Sequence, residues 1–355
     1  MTSDFFFIQK YYFFQIIFFL LLLILLFLSY KRDNYRVTNV LTISFAFFTV
    51  FYFGFRNTEV GVDTYRYSQI FEIYQNSSNF FIRKDLFYDL LNFLISKIGD
   101  FELLLFFNAF LYIFAALYGL KKIFDRNYIL PFFLFLITPY FINHGINVMR
   151  SGIAGSIFLL GLGIYYQKGK SWKWLIIFLT SILFHISFII PLISFYIVKI
   201  YSRTKVIFIL WLFCIIMSLL NLNILSSFIS LGGDIIERSE FYLEVSDEQN
   251  YWINFFIFGF FPVLFAVYNC LIIGYKDKFY TSFLNMYMLS HIPYILLINS
   301  EFASRIGYLA EFMMPILVVY PLMVDPIVKI RFLNFKLAIL FFLIFLIKAY
   351  KILVL

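Results

Sequence analysis

The chain has 355 residues, 63% hydrophobic and only 14% charged, with a formal net charge of +8. A soluble domain is about half apolar and about a quarter charged, so this composition excludes a water-soluble enzyme and demands lipid as solvent. A net positive charge also suggests nucleic acid, but the Lys and Arg residues fall in short clusters between apolar runs, which is a topological signal.

In chain order, apolar runs between polar breaks predict membrane spans at 11–30, 37–55, 101–120, 129–142, 150–166, 206–225, 251–274, 280–298, 306–323 and 337–353. The first run is followed by Lys31 and Arg32 rather than by a small-residue cleavage site, so it reads as a retained span and not a signal peptide. Residues 172–200 are too long for one comfortable helix and carry His185, Ser187 and Pro191 in the middle, which predicts two short segments forming a hairpin. The expected fold class is all-α: a polytopic transmembrane helical bundle of about 10 to 12 membrane segments, with 1–355 as a single integral membrane domain. Cys214 and Cys270 lie in apolar runs and read as small buried hydrophobes. The 53 Phe residues read mainly as lipid-facing bulk.

Basic residues accumulate in cytoplasmic loops. Lys31, Arg32 and Arg36, then Lys121, Lys122 and Arg126, then Lys168, Lys170 and Lys173, and the later clusters to Lys336 all fall on one side if 172–200 returns to where it began. The opposite, extracytoplasmic face then receives two longer loops, 56–100 and 226–250. The second is acidic, with six Asp and Glu residues against Arg238 alone. Within the first, residues 85–98 alternate apolar and polar at helical spacing and predict an amphipathic helix on the outer interface.

Charge at a membrane boundary is costly and marks the places to look for function. Phe55 to Tyr67 combines Arg56, Glu59, Asp63 and Arg66 with Gly61 and Thr64 directly after the second span. Arg150 precedes the small-residue stretch Ser151–Ser156, His185 sits at the inferred hairpin tip, and Arg305 lies at the outer end of a span that contains Glu311. Each has a plainer reading: a solvated loop, a snorkelling arginine, a packing histidine, an ion pair. There is no HExxH, no zinc spacing, no P-loop and no GxSxG, so metalloprotease, ATPase and serine-hydrolase chemistry are unsupported. What remains is Arg56, Arg150 and Arg305 at the outer boundary, and planar guanidinium groups suit the phosphate oxygens of an amphiphile whose head group lies at that depth.

Arg56-Asn-x-x-x-Gly-x-Asp-Thr-Tyr65, followed by Tyr67 and Phe71, resembles the signature of EpsG-like proteins, a branch of the Wzy-type polymerases of O-antigens, capsules and exopolysaccharides. Arg150 with its small-residue helix and Leu183-Phe-His-Ile-Ser187 after a Lys-rich loop resemble a second block of the same family. The resemblance covers residues 37–200 best. It implies a glycosyltransferase of the bacterial inner membrane that joins oligosaccharide repeats carried on undecaprenyl pyrophosphate, with both donor and acceptor lipid-linked. It also implies a chain-length regulator and a flippase of the same pathway as partners. No nucleic acid, metal or cofactor is expected. Arg150, Arg56 and Arg305 would bind pyrophosphate, Thr64 and Tyr67 would contact substrate, and His185 or Asp63 would take the proton of the attacking hydroxyl, with Asp63 equally suited to hold Arg56 or Arg66 in place. The main alternative is a flippase or transporter of lipid-linked oligosaccharide, for which paired halves with broken helices at matching positions would be expected.

Overall fold

The structure is a computed structural model, and it describes residues 2–28, 35–138, 140–169, 172–220, 252, 255–299, 303–324 and 333–353. The described elements are helical. Five helices are long and apolar enough to cross a membrane: Ser3–Leu28, Tyr35–Gly54, Phe101–Asn127, Phe255–Ile273 and Arg305–Met323. This is therefore a membrane protein. The acidic loop 226–250 and several basic clusters lie outside the described residues.

The chain divides into two compact units, residues 1–186 with 328–355, and residues 187–327. In the first unit, α1 (Thr2–Leu28) begins nine residues before the predicted span. Gln9 and Lys10 interrupt the apolar run but not the helix, and Asp4 in the first turn favours the positive end of the helix dipole. Then come α2 (Tyr35–Gly54), α3 (Thr64–Asn76), α4 (Leu86–Ser96) and α5 (Phe101–Phe124). The predicted span 129–142 is two pieces, α6 (Ile129–Leu136) and α7 (Phe141–Ile146), with Pro139 between them in the sequence. α8 (Met149–Lys168) and α9 (Lys173–Phe184) follow, and α16 (Leu333–Leu353) returns to pack on α1 through Tyr12, Phe19 and Phe345.

Aromatic side chains do more than face lipid. Phe19, Phe53, Phe132, Phe133, Phe135 and Phe141 are buried to 1% exposure or less. Tyr11, Tyr112 and Phe141 stack as a column beneath the α7 turn, with the Tyr112 hydroxyl donating to the Phe141 carbonyl at 3.0 Å. The expectation of lipid-facing bulk is corrected for these rings. Without a hydrophobic driving force between helices in lipid, interior cohesion comes from close packing, which flat rings supply.

Two helices of the 56–100 loop form a shelf over one end of this unit. α3 buries Thr64, Tyr67, Phe71 and Tyr74, a stripe at helical spacing. The Lys97 ammonium, just past α4, donates to the Tyr74 and Gln75 carbonyls at 2.9 and 3.2 Å and so ties the end of α3 to α4. α4 has inverted amphipathicity. Tyr88, Asp89, Asn92, Ile95 and Ser96 are its buried positions, whereas Leu94 and nearby Ile98 are 53% and 74% exposed.

The second unit holds α10 (Ile189–Ile200), α11 (Thr204–Leu219), α12 (Phe261–Val267) between the π-helical turns Phe255–Phe260 and Tyr268–Ile273, α13 (Lys278–Leu296), α14 (Ala303–Glu311) and α15 (Met314–Met323). Helix α13 starts on Asp277, whose carboxylate accepts the Tyr280 N–H at 2.7 Å. The break predicted within 172–200 is present: α9 ends at Phe184, His185 is extended, and a 3-10 turn at Ile186–Phe188 leads into α10.

Candidate functional site

The site is built at the end of the first unit where α1 begins and α2 ends. The Ser3 hydroxyl donates to the Glu59 carbonyl, and the Gly61 N–H donates to the Asp4 carboxylate at 2.7 Å. These bonds draw the loop after α2 down onto the start of α1. Gly61 adopts φ +95°, and a Cβ there would lie 2.6 Å from the Thr64 hydroxyl and 2.7 Å from the Asn147 side-chain oxygen. Only glycine fits both the backbone and the space.

Arg56 is 4% exposed. Its guanidinium donates to the Phe53 carbonyl at 2.6 Å and the Ile146 carbonyl at 2.9 Å, and it touches the Met149 sulfur at 3.3 Å. The Thr64 hydroxyl donates to the Val60 carbonyl at 2.6 Å. Burial lowers Arg56 to a pKa of about 10, which leaves it cationic at neutral pH. Arg56 and Thr64 thus clamp the loop to the α7–α8 turn, one residue away from Arg150. Gly152 supports that turn from the other side: a Cβ on it would run into the His144 carbonyl, so α8 can pass this close to α7 only with glycine. On its other side α8 meets α9, where the Ser181 hydroxyl donates to the Ala154 carbonyl at 2.7 Å.

Arg150, in the first turn of α8, projects to Asp85 at the start of α4. Its Nη1 lies 2.6 Å from Asp85 Oδ2, with side-chain exposures of 22% and 2%. His185 at the end of α9 brings Nδ1 to 3.7 Å from the same oxygen, and its own side chain is 20% exposed. The Ile186 backbone N–H also faces Asp85 and favours its charged form. Burial raises the tendency of Asp85 to protonate, but His185, Arg150 and the Ile186 N–H outweigh it and hold its carboxyl below the ordinary carboxylate range. Tyr67 of α3 and Tyr88 of α4 complete the wall. Their rings meet edge to face at 5.7 Å, the Arg150 guanidinium lies 5.9 Å over the Tyr88 ring, and Tyr67 faces Arg150. The Asn108 amide of α5 donates to the Tyr88 hydroxyl at 3.3 Å.

The structure therefore brings Arg150 and His185 together, with Tyr67 beside them and Arg56 and Thr64 one layer behind. Asp63 is half-buried in the first turn of α3, one turn before Tyr67, and its carboxylate does not cap the helix. Arg305 is exposed in α14 of the second unit. Asp85 is absent from the residues the sequence singles out. It reads there as the first residue of an amphipathic helix, and that it leaves its own helix uncapped to meet Arg150 and His185 is visible only in the fold.

The family model described as the EpsG family matches residues 38–354, nearly the whole chain and both units. This chain belongs to the EpsG family. No curated protein and no solved structure matches it. Membership links this EpsG-family chain to membrane proteins of the polysaccharide-polymerase and glycosyltransferase-like kind. Of the two sequence blocks that carry the likeness, the first sets Tyr67 beside Arg150 and the second brings Arg150 and His185 to Asp85.

Proposed function

We propose that this EpsG-family chain polymerises oligosaccharide repeats carried on undecaprenyl pyrophosphate at the outer face of a bacterial inner membrane. The observation that carries this is the meeting of Arg150, His185 and Asp85 at one end of the helices, each cationic or basic group still about one-fifth exposed. A partly exposed guanidinium beside a partly exposed imidazole suits a reaction in which a hydroxyl loses a proton while pyrophosphate leaves.

In this scheme the hydroxyl of one repeat attacks the anomeric carbon of the growing chain. Arg150 faces the departing pyrophosphate and offsets its charge, Tyr67 lies along the sugar, and His185 takes the proton. Arg305 is offered as a further phosphate contact. Asp63, at the start of the helix that carries Tyr67, is the alternative acceptor of that proton. Arg56 and Thr64 act behind the site, since both terminal guanidinium nitrogens of Arg56 and the Thr64 hydroxyl already serve the main chain.

The lipid tail is assigned to a cleft between the first two helices. A cleft of about 610 Å³ between α1 and α2 is walled by Phe6, Phe7, Phe48, Phe51 and Phe55 and ends at Arg56. Lys10 opens onto it. An isoprenoid chain lying there would hold its phosphates near the clamp that leads to Arg150.

The test is complementation of a strain lacking the gene. The intact chain should restore long polysaccharide, and Arg150→Ala, expressed at equal level, should leave single repeats on lipid. Lipid-linked repeats trapped on the cytoplasmic leaflet of the null strain would instead identify a flippase.

A further inference from the structure

We infer that Asp85 is a positioning residue of this site, one that fixes His185 with its proton on Nδ1 and so presents Nε2 as the base toward substrate. The inference rests on the polymerase reading for what the base does, but its geometry is independent of it.

Asp85 begins α4 without capping it and is 4% exposed. A buried carboxylate that serves no turn of its own helix must be satisfied elsewhere. Its bonded partner comes from another helix, Arg150 of α8, and the His185 ring at the end of α9 faces the same oxygen. An ionised carboxylate only accepts hydrogen bonds, so the imidazole nitrogen that faces it is the one that carries hydrogen. His185 Nδ1 is buried and has no hydrogen-bond partner at present; Asp85 Oδ2 stands 3.7 Å away, beyond bonding distance. Catalytic contacts of this length tighten when substrate closes the site.

Arg150 is set by the same oxygen. The charged and titratable groups facing this cluster are Arg150 from α8, Tyr67 from α3 and Tyr88 from α4. None of them competes with Asp85 as an anionic acceptor at neutral pH. Asp85 also stays ionised there, because the groups around it more than offset its burial.

The step balances as follows for each bond made. His185 Nε2 takes the proton of the attacking hydroxyl, whose oxygen bonds to the anomeric carbon. The bond from that carbon to the pyrophosphate oxygen breaks, and its electron pair leaves with the pyrophosphate against Arg150. The imidazolium that forms is held by Asp85 and returns its proton to water from its exposed edge.

The experiment uses the full chain in lipid vesicles with ¹⁵N-labelled histidine. The sequence has three histidines, His144, His185 and His291, and loss of one signal set in His185→Gln assigns His185. Near neutral pH, wild type should show hydrogen on Nδ1 and a bare Nε2. Asp85→Asn should mix or invert that tautomer while the His144 and His291 signals stay in place and report the fold. Hydrogen on Nε2 of His185 in wild type would overturn the inference, as would an unchanged tautomer in Asp85→Asn.

Chain extension gives the second readout. With synthetic prenyl-pyrophosphate-linked repeats, Asp85→Asn should lower kcat about 100-fold, the low end for loss of general base catalysis, with KM for the donor little changed. Wild type that extends chains while Asp85→Asn extends them equally well defeats the inference and leaves the polymerase reading standing. Wild type with the expected tautomer but no extension of any lipid-linked repeat defeats the polymerase reading instead. If Asp85→Asn does not accumulate, the wild-type tautomer and Asp85→Glu, which keeps the charge and should keep hydrogen on Nδ1, still decide the matter.

Discussion

Among the described residues, each unit sets a histidine against a carboxylate, and the two pairs are built to opposite ends. In the first unit, His185 and Asp85 share their space with Arg150, and the histidine and arginine side chains are about one-fifth exposed. In the second, His291 Nε2 lies 3.3 Å from Glu311 Oε1 with side-chain exposures of 0% and 1%. Aromatic rings from Trp211, Phe255, Tyr287 and Tyr294 enclose that histidine. The sealed pair can hold helices α13 and α14 together but offers nothing to a ligand. The open pair carries a formal cation and an accessible edge, which is what chemistry on a charged amphiphile requires.

The sharpest way to break this contrast is Arg150→Ala. Loss of a guanidinium aimed at a leaving pyrophosphate should cost about 10³ in the rate of chain extension, measured on vesicles holding equal amounts of protein. A variant of His291 or Glu311 should behave in the opposite manner. Glu311→Ala should cost about 3 kcal/mol of stability, visible as a lowered unfolding temperature in detergent, while the rate per folded molecule is kept. The double change His291→Phe with Glu311→Leu should cost less than Glu311→Ala alone, because it leaves no polar group stranded in the dark of the core. If either change abolished extension in folded protein, the sealed pair would belong to the site as well.

Smaller effects sharpen the comparison. Arg56→Ala removes donors from two buried carbonyls and should cost about 1–3 kcal/mol, with the donor KM rising because the loop over the cleft loosens. Gly61→Ala forces a side chain into a left-handed turn and should cost about 1–2 kcal/mol, again read from unfolding temperature. The pH effect on stability is the least. Asp85 has its carboxyl pKa depressed below the ordinary aspartate value of about 3.9, so its contribution is fully present above that value and disappears as pH falls through the lower folded value. The stability difference between wild type and Asp85→Asn should be flat from pH 7 to about pH 5 and shrink only in stronger acid.

Much of the architecture was legible because apolar runs are long and their breaks are polar. The helix starting at Tyr35, the one starting at Phe101 and the break at His185 all follow from that pattern. The start of α1 was missed because Asp4, Gln9 and Lys10 look like a boundary, though at a helix start a few polar residues are well placed. Helix α3 was hidden by its charges; its Thr64, Tyr67, Phe71 and Tyr74 stripe was readable, but Arg66 and Glu72 on the exposed side made the segment resemble a loop. For the site, Arg150, His185 and Tyr67 stood out as costly polar or aromatic residues in the right blocks. Asp85 did not, since nothing local distinguishes it from the many aspartates that begin helices; its role exists only once α8 and α9 deliver Arg150 and His185 to it. Arg56 was legible as important but not in kind, because a sequence does not show that its donors end on the Phe53 and Ile146 carbonyls.

The inverted helix α4 has a consequence for how such a site survives in lipid. Its oily side faces outward and its Asp89, Asn92 and Ser96 face inward, so it works as insulation around a wire. Acyl chains reaching this helix would meet Leu94 and Ile98, while the buried carboxylate at its start sits among protein dipoles, where the attraction between charges is stronger than in water. The helix is thereby both the fence that keeps lipid away from the charges and the post on which one of them is mounted. Any roll of α4 about its own axis would move fence and post together, so lipid entry and loss of alignment would be one event.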